Sequence, residues 1–123
     1  MTDTKLLGRF GEDTAAEYLR KNGYRILGRN FRTRLGEIDV IASKGKYVVF
    51  VEVKLRKDAR FAEAREFVTR TKQQRIIATA QLWLQWHPNG RQPRFDVIEV
   101  YAPQGAETEK PEIRHWENAF TAD

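Results

Sequence analysis

The chain has 123 residues, 41% of them hydrophobic and 32% charged, with three Trp and seven Phe. That is enough for one hydrophobic core and too apolar for intrinsic disorder. Cysteine is absent, which excludes disulfides and thiolate metal sites and leaves oxygen or imidazole as the donors for any metal. The formal charge of +5 is uneven: residues 1–102 carry 20 Lys and Arg against 12 Asp and Glu, and residues 103–123 carry 2 against 5. The expected organisation is a basic domain over 1–102 and an acidic C-terminal extension over 103–123. A basic body favours polyanionic partners, nucleic acid first, and a merely solvated basic surface is the competing reading. No apolar run approaches the ~20 residues that span a bilayer and no secretion signal is visible, so no membrane partner and a cytoplasmic location are expected.

Residues 5–21 are rich in helix formers, and Asn22-Gly23 supplies a stop. By the 3.6-residue repeat, Gly8, Gly11, Glu12, Ala15, Ala16 and Leu19 share one side, where small residues permit close packing on a sheet. Glu12 is the only acid on that side. Residues 24–31 read as a strand with an irregularity at Gly28. Strands over 36–42 and 47–56 are separated by Ser43-Lys44-Gly45-Lys46, a hairpin turn. Residues 57–65 are charged and ambiguous between loop and irregular helix. A helix over roughly 66–86 carries the apolar stripe Ile76, Ile77, Ala80, Trp83 and Leu84 and ends at His87-Pro88-Asn89-Gly90. Residues 94–101 alternate as a strand, and a short edge strand over 113–118 follows a Pro/Gly/Glu-rich connector. The order of elements suggests an α/β fold with a mixed sheet.

Strand 47–56 places Val48, Phe50, Glu52, Lys54 and Arg56 on one side and Tyr47, Val49, Val51, Val53 and Leu55 on the other. With Lys44-Gly45 at the hairpin tip, Asp39 faces Phe50 and Glu37 faces Glu52, so Asp39 lies diagonal to Glu52 on one side of the sheet. That placement depends on register, because a one-residue slip reverses it. Acids gathered on a sheet face need a cation, a proton or solvent. Oxygen donors without Cys point to Mg²⁺ or Mn²⁺, held by Asp39 and Glu52, in a site suited to phosphodiester cleavage with Lys54 orienting water or neutralising the phosphoryl group. The competing reading of Glu52 and Lys54 is a local ion pair on a solvated face.

An acid in one strand followed by Glu-x-Lys in the next resembles the PD-(D/E)xK signature of the restriction-endonuclease-like superfamily. Asp39 matches the first acid, Glu52 and Lys54 match the second half, and Ile38 stands where the Pro would be. The blocks "GRFGEDTAAEYLRKNGYRILGRNFRTRLGEIDVIA", "VVFVEVKLR", "TKQQRI" and "RFDVIEV" cover most of residues 8–100. Together they resemble the YraN-like family of small bacterial proteins, which is distantly similar to archaeal Holliday junction resolvases. The resemblance implies an α-β-β-β-α-β restriction-endonuclease-like core, with a central mixed sheet flanked by helices, and a nucleic-acid-binding surface. It also implies that Glu12 joins Asp39 and Glu52 at the metal.

Phosphate contacts are expected from Arg29, Arg32 and Arg34 ahead of the acidic strand and from Arg56, Lys57, Arg70, Lys72 and Arg75 in the basic run that follows it. Arg60 and Arg65 belong to the same run. Phe31, Trp83 and Trp86 read as packing residues, and Gln73 as a residue at the margin of the helix stripe that reaches the metal site only if the helix presents it there. His87, His115 and Asp96 receive no catalytic role. The expected activity is Mg²⁺-dependent endonucleolytic cleavage of structured or branched DNA, with a homodimer needed if two sites act on one junction. A non-catalytic nucleic-acid-binding module and a protein-binding adaptor are the alternatives.

Overall fold

The computed structural model describes residues 4–57 and 68–122. Helix α1 spans Thr4–Lys21, and strands β1, β2 and β3 span Arg25–Thr33, Gly36–Lys44 and Tyr47–Arg56. Helix α2 spans Arg70–Trp86, β4 Gln92–Tyr101 and β5 Glu112–Phe120, with a single 3₁₀ turn at Gly105–Glu107 between the last two strands. The five strands form one sheet in the order β1-β2-β3-β4-β5. Only β3 and β4 run parallel, as expected when a helix connects them. This is the α-β-β-β-α-β order of the restriction-endonuclease-like core, extended by β5.

The alternation in β3 organises both faces of the sheet. Val49, Val51, Val53 and Leu55 pack with Ala15 and Leu19 of α1, while Val48 and Phe50 pack with Ile76, Ala80 and Trp83 of α2. On the α2 side Phe50 meets Trp83 edge to face at 5.8 Å between ring centres and stacks on Phe95 at 5.6 Å, and Phe95 stacks on Phe120 at 5.3 Å. Thus β5, longer than the short edge strand the sequence suggests, contributes an aromatic to this layer. On the α1 side the small-residue stripe has its expected effect: Ala15, Ala16 and Leu19 are fully buried. A side chain at Gly11 would lie 3.6 Å from Leu55 Cδ1, so α1 rides close over the sheet there.

Helix α1 ends where expected, with Gly23 at φ +85° and the Asn22 amide returning to the Tyr18 carbonyl at 3.1 Å. Helix α2 begins later than the sequence suggests, because the Thr69 side chain accepts from the Lys72 amide at 3.1 Å and caps the helix. Of the charged segment after β3, Arg60 and Arg65 lie outside the described residues. The irregularity expected at Gly28 is present as a register shift between β1 and β2.

The hairpin register differs from the expected one. Val40 faces Val51 and Ile41 faces Phe50, because Gly45 and Lys46 form the turn and Lys44 is already paired with Tyr47. Gly45 takes the left-handed conformation (φ +56°) at the first turn position rather than the second. The two-residue shift keeps the faces of the paired residues Val40 to Lys44 and moves Asp39 toward Glu52 along the strands.

The β1–β2 hairpin is braced against α2 at Gly36, where a Cβ would stand 2.9 Å from Thr79 Oγ1 and 3.1 Å from the Arg75 carbonyl. Gly36→Ala is expected to push the hairpin off the helix at a cost of about 1–3 kcal/mol, typical of overpacking, read as a lower urea midpoint. A variant as stable as the wild type would show that this contact yields freely.

Candidate metal centre and nucleic-acid interface

The two central strands of the antiparallel half stop pairing just where the acids lie. The β2–β3 ladder ends at Val40 and Val51, and two residues further along β3 the Val53 amide donates to Asp39 Oδ2 at 2.8 Å. Strict alternation in β2 breaks at the same level. Ile38 and Ile41 belong to the α2 layer, whereas Val40 and Ala42 belong to the α1 layer. On β1, Asn30 between the Arg29–Val40 and Phe31–Ile38 pairs adopts φ +52°, uncommon for a residue other than glycine. The sheet therefore opens around Asp39 and admits side chains from both of its faces.

Carboxylate oxygens of Glu12 from α1 and of Glu37 and Asp39 from β2 lie within 4.8 Å of one another. Ligands on opposite sides of one octahedral Mg²⁺ are about 4.2 Å apart, at roughly 2.1 Å per bond, so small side-chain rotations would bring this hard-oxygen set onto one ion. Glu52 is buried and stands close enough that its charge, after burial itself, is the main influence raising the pKa of Asp39 from 3.8 to about 7. Glu12 and Glu37 push in the same direction, and the Val53 amide opposes them. A carboxyl group held this way gains from an added cation. The donor set thus fits Mg²⁺ or Mn²⁺.

Glu52 does not join the three-carboxylate group, and its oxygen is engaged by two ammonium groups. Lys72 Nζ lies 2.7 Å and Lys54 Nζ 3.7 Å from Glu52 Oε1. Burial lowers the pKa of Lys54, with Lys72 and Arg56 adding to the effect and Glu52 opposing it. Lys72 is raised, because its hydrogen bond and charge interaction with Glu52 overcome the effect of burial.

Glu37, Asp39 and Glu52 open into a cleft of about 710 Å³ whose other walls carry Arg32, Arg34, Thr69, Lys72 and Arg75. Four of the eight cations expected to meet phosphate therefore line the same cavity as Asp39 and Glu52. Arg29 lies apart, on a neighbouring depression with Glu12, bound to Asp13 at 2.6 Å and 3.9 Å from Glu12. Arg56 points to the buried Glu99, with Nε 3.4 Å away. Lys57 and Arg70 are exposed and do not line the cleft. Gln73 turns away from the acids and donates to the Val68 carbonyl at 2.9 Å, bracing the entry to α2.

Glu37 is a donor that sequence reasoning passed over. The signal was present, since Glu37-Ile38-Asp39 places two acids two residues apart in a strand. A second set, Asp96, His115 and Glu117, also has oxygen and nitrogen atoms within 4.8 Å of one another and could reach a metal ion. There, however, cationic partners are already in place: Arg94 donates twice to Asp96, at 2.9 and 2.8 Å, and lies 3.1 Å from Glu117.

No helix among the described residues is long and apolar enough to cross a membrane. The sequence model of the uncharacterised protein family UPF0102 matches residues 11–100. A UPF0102 protein of Caldicellulosiruptor saccharolyticus is 44% identical over 115 residues, which cover 93% of this chain and 96% of that protein. One from Caldanaerobacter subterraneus is 45% identical over 118 residues, 94% of this chain and 95% of the other. A third, from Rhodococcus jostii, is 42% identical over 123 residues, 98% and 100% of the two chains. Glu12, Asp39, Glu52, Lys54 and Lys72 all fall within the matched span, and the chain belongs to family UPF0102, the YraN family.

Proposed function

We propose that this protein is a divalent-metal-dependent endonuclease acting on structured or branched DNA. The observation that carries the reading is the position of Asp39: a carboxyl group with a raised pKa, beside three further acids, at the floor of a cleft walled by Arg32, Arg34, Lys72 and Arg75. Acids and cations in one cavity suit a phosphodiester, whose charge the cations receive while the acids hold a metal. Asp39 with Glu12, Glu37 and Glu52 would hold Mg²⁺ or Mn²⁺, which when bound supplies Lewis-acid polarisation of the phosphate and a more acidic water. Lys54, whose Nζ lies 3.7 Å from Glu52 Oε1, would orient that water or stabilise negative charge on the phosphoryl oxygens. Arg32, Arg34 and Arg75 would position the backbone rather than read sequence.

The test is a panel of single-stranded, duplex, flapped and four-way DNA incubated with Mg²⁺ or Mn²⁺. Cleavage of at least one substrate is expected, abolished by chelation. Lys54→Ala is expected to lower kcat by about 10²-fold or more while metal binding persists, as for loss of a transition-state electrostatic partner. Binding of DNA without cleavage by any form of the protein would reduce the reading to a nucleic-acid-binding module. Cutting of a four-way junction at two symmetric positions would further call for a homodimer.

A further inference from the structure

Among the described residues Asp39 takes part in no ion pair, whereas each acid around it is met by a basic side chain. Lys72 and Lys54 meet Glu52 at 2.7 and 3.7 Å, Arg32 meets Glu37 at 3.1 Å, and Arg29 approaches Glu12 at 3.9 Å. Lys72 makes the tightest of these contacts, to a carboxylate whose side chain is only 7% exposed, while its own side chain is 44% exposed and borders the cleft. One end of the ion pair is therefore fixed in the protein, and the other is free to move into the space a phosphate would enter.

A nearly buried carboxylate needs a cation, a proton or hydrogen bonds, and at Glu52 the Lys72 ammonium supplies the cation. A divalent ion arriving among Glu12, Glu37, Asp39 and Glu52 would bring two positive charges into the region Lys72 now neutralises. The ammonium would then be both redundant and repelled. Its stem starts from the first turn of α2, in the wall that also carries Thr69, Thr71 and Arg75. Displaced from Glu52, it has the open cleft before it. The same exchange applies to the exposed Arg32–Glu37 pair with a smaller effect, because water already screens it.

Resting on the metal-dependent reading above, we propose that Lys72, assisted by Arg32, is an exchange cation: it holds Glu52 when no metal is bound and passes to a nucleic-acid phosphate when the metal takes its place. Metal and nucleic acid then bind with positive coupling, and by linkage each raises the affinity for the other by the same factor. Lys72 is thus a positioning residue with two successive anionic partners.

The experiment measures Mn²⁺ binding to the full chain by calorimetry, and binding of a labelled duplex by anisotropy with and without Ca²⁺. Lys72→Gln removes the competing cation and is expected to bind Mn²⁺ roughly five-fold tighter or more, within the usual range of coupling. Arg75→Gln removes a charge from the same cleft that makes no ion pair among the described residues, and is expected to change Mn²⁺ affinity by less than about two-fold. Lys72→Arg, which keeps the cation, is expected to return Mn²⁺ affinity toward wild type even if Lys72→Gln proves unstable. Ca²⁺ is expected to tighten DNA binding by the wild type roughly five-fold or more, and by Lys72→Gln much less. Lys72→Gln binding Mn²⁺ no tighter than wild type, or gaining as much DNA affinity from Ca²⁺, would overturn the exchange. Wild-type protein that takes up no Mn²⁺ would overturn both the exchange and the metal-dependent reading. Mn²⁺ and Ca²⁺ coupling without cleavage would defeat only the nuclease and leave the exchange standing.

Discussion

Asp39→Asn is expected to abolish cleavage and, at pH 8, to melt at a higher temperature than the wild type. Both effects have the same origin. The native fold holds this carboxyl at a pKa of about 7, against an ordinary value of 3.8, through burial and the charges of Glu52, Glu12 and Glu37. Between those values the folded chain keeps a proton that the unfolded chain has released. Stability therefore falls as pH rises from about 4 to about 7, and the full penalty is present above that window. At ~1.36 kcal/mol per pH unit its ceiling is about 4 kcal/mol, and after side-chain relaxation a gain of about 1–3 kcal/mol is expected for the amide. Asn is nearly isosteric, and its oxygen can keep the hydrogen bond from the Val53 amide, so no cavity or orphaned donor offsets the gain.

The measurement is a pair of melting curves at several pH values beside the cleavage assay. The stability advantage of Asp39→Asn should be largest at pH 8 and shrink toward pH 4. A variant that cuts at the wild-type rate, or melts lower at pH 8, would remove Asp39 from the centre of the mechanism. The same charge accounting predicts that metal binding weakens as pH falls below about 7, because the ion must displace the Asp39 proton.

What the sequence made legible depended on whether the relevant interaction was local. The two faces of β3 follow from alternation alone, and they place Glu52 and Lys54 on the α2 side beyond Val48 and Phe50. The small stripe on α1 and the irregularity at Gly28 were equally visible. The hairpin tip was not, because a single glycine in Ser43-Lys44-Gly45-Lys46 can serve either turn position, and the residues do not say which. The pairing of Lys72 with Glu52 joins a helix to a strand twenty residues earlier in the chain. A basic residue in a basic run reads as a phosphate ligand until packing shows the acid beneath it. The meeting of Asp96 with His115 was hidden for the same reason, since it depends on β4–β5 registry and on a bulge between Phe95 and Val97.

That bulge invites comparison with the opening at Asp39, because the two sites solve the same backbone problem with opposite electrostatics. In each, a strand carboxylate accepts an amide where pairing is interrupted: Asp39 from Val53 at 2.8 Å, and Asp96 from Asn118 at 2.9 Å. At Asp96, however, cationic and polar partners complete the shell. Arg94 donates twice and the His115 ring nitrogen Nε2 lies 2.6 Å away, while Tyr18 meets the other ring nitrogen at 3.0 Å. Burial alone would raise its pKa, but the His115 and Arg94 hydrogen bonds and the Asn118 amide outweigh it and hold the carboxyl below its ordinary value. The charge at Asp96 is compensated by its neighbours, whereas that at Asp39 is not, and a perturbed carboxyl of the second kind in a cleft is a candidate functional group.

Asp96→Ala is accordingly expected to cost about 3–5 kcal/mol, the range for breaking a buried ion pair from one side. Asp96 is fully buried, and Arg94 and His115 have side chains only 12% and 9% exposed, so removing the carboxylate strands their donors away from water. Some relief comes from Tyr24 and Glu117, which remain near Arg94 at 2.6 and 3.1 Å and favour the lower half of the range. With a urea dependence of about 1–3 kcal/mol/M for a small domain, the midpoint should fall by about 1–4 M. Because the folded-state pKa is depressed, the wild-type advantage is present above the unfolded value near 3.8 and disappears as pH falls through the folded one. Wild type and variant should therefore converge in acid. A loss below about 1 kcal/mol at pH 7, or one that persists undiminished at the lowest pH at which both chains fold, would mean that hydrophobic contacts hold β5 in place. The Phe95–Phe120 stack would be the first of those contacts to test.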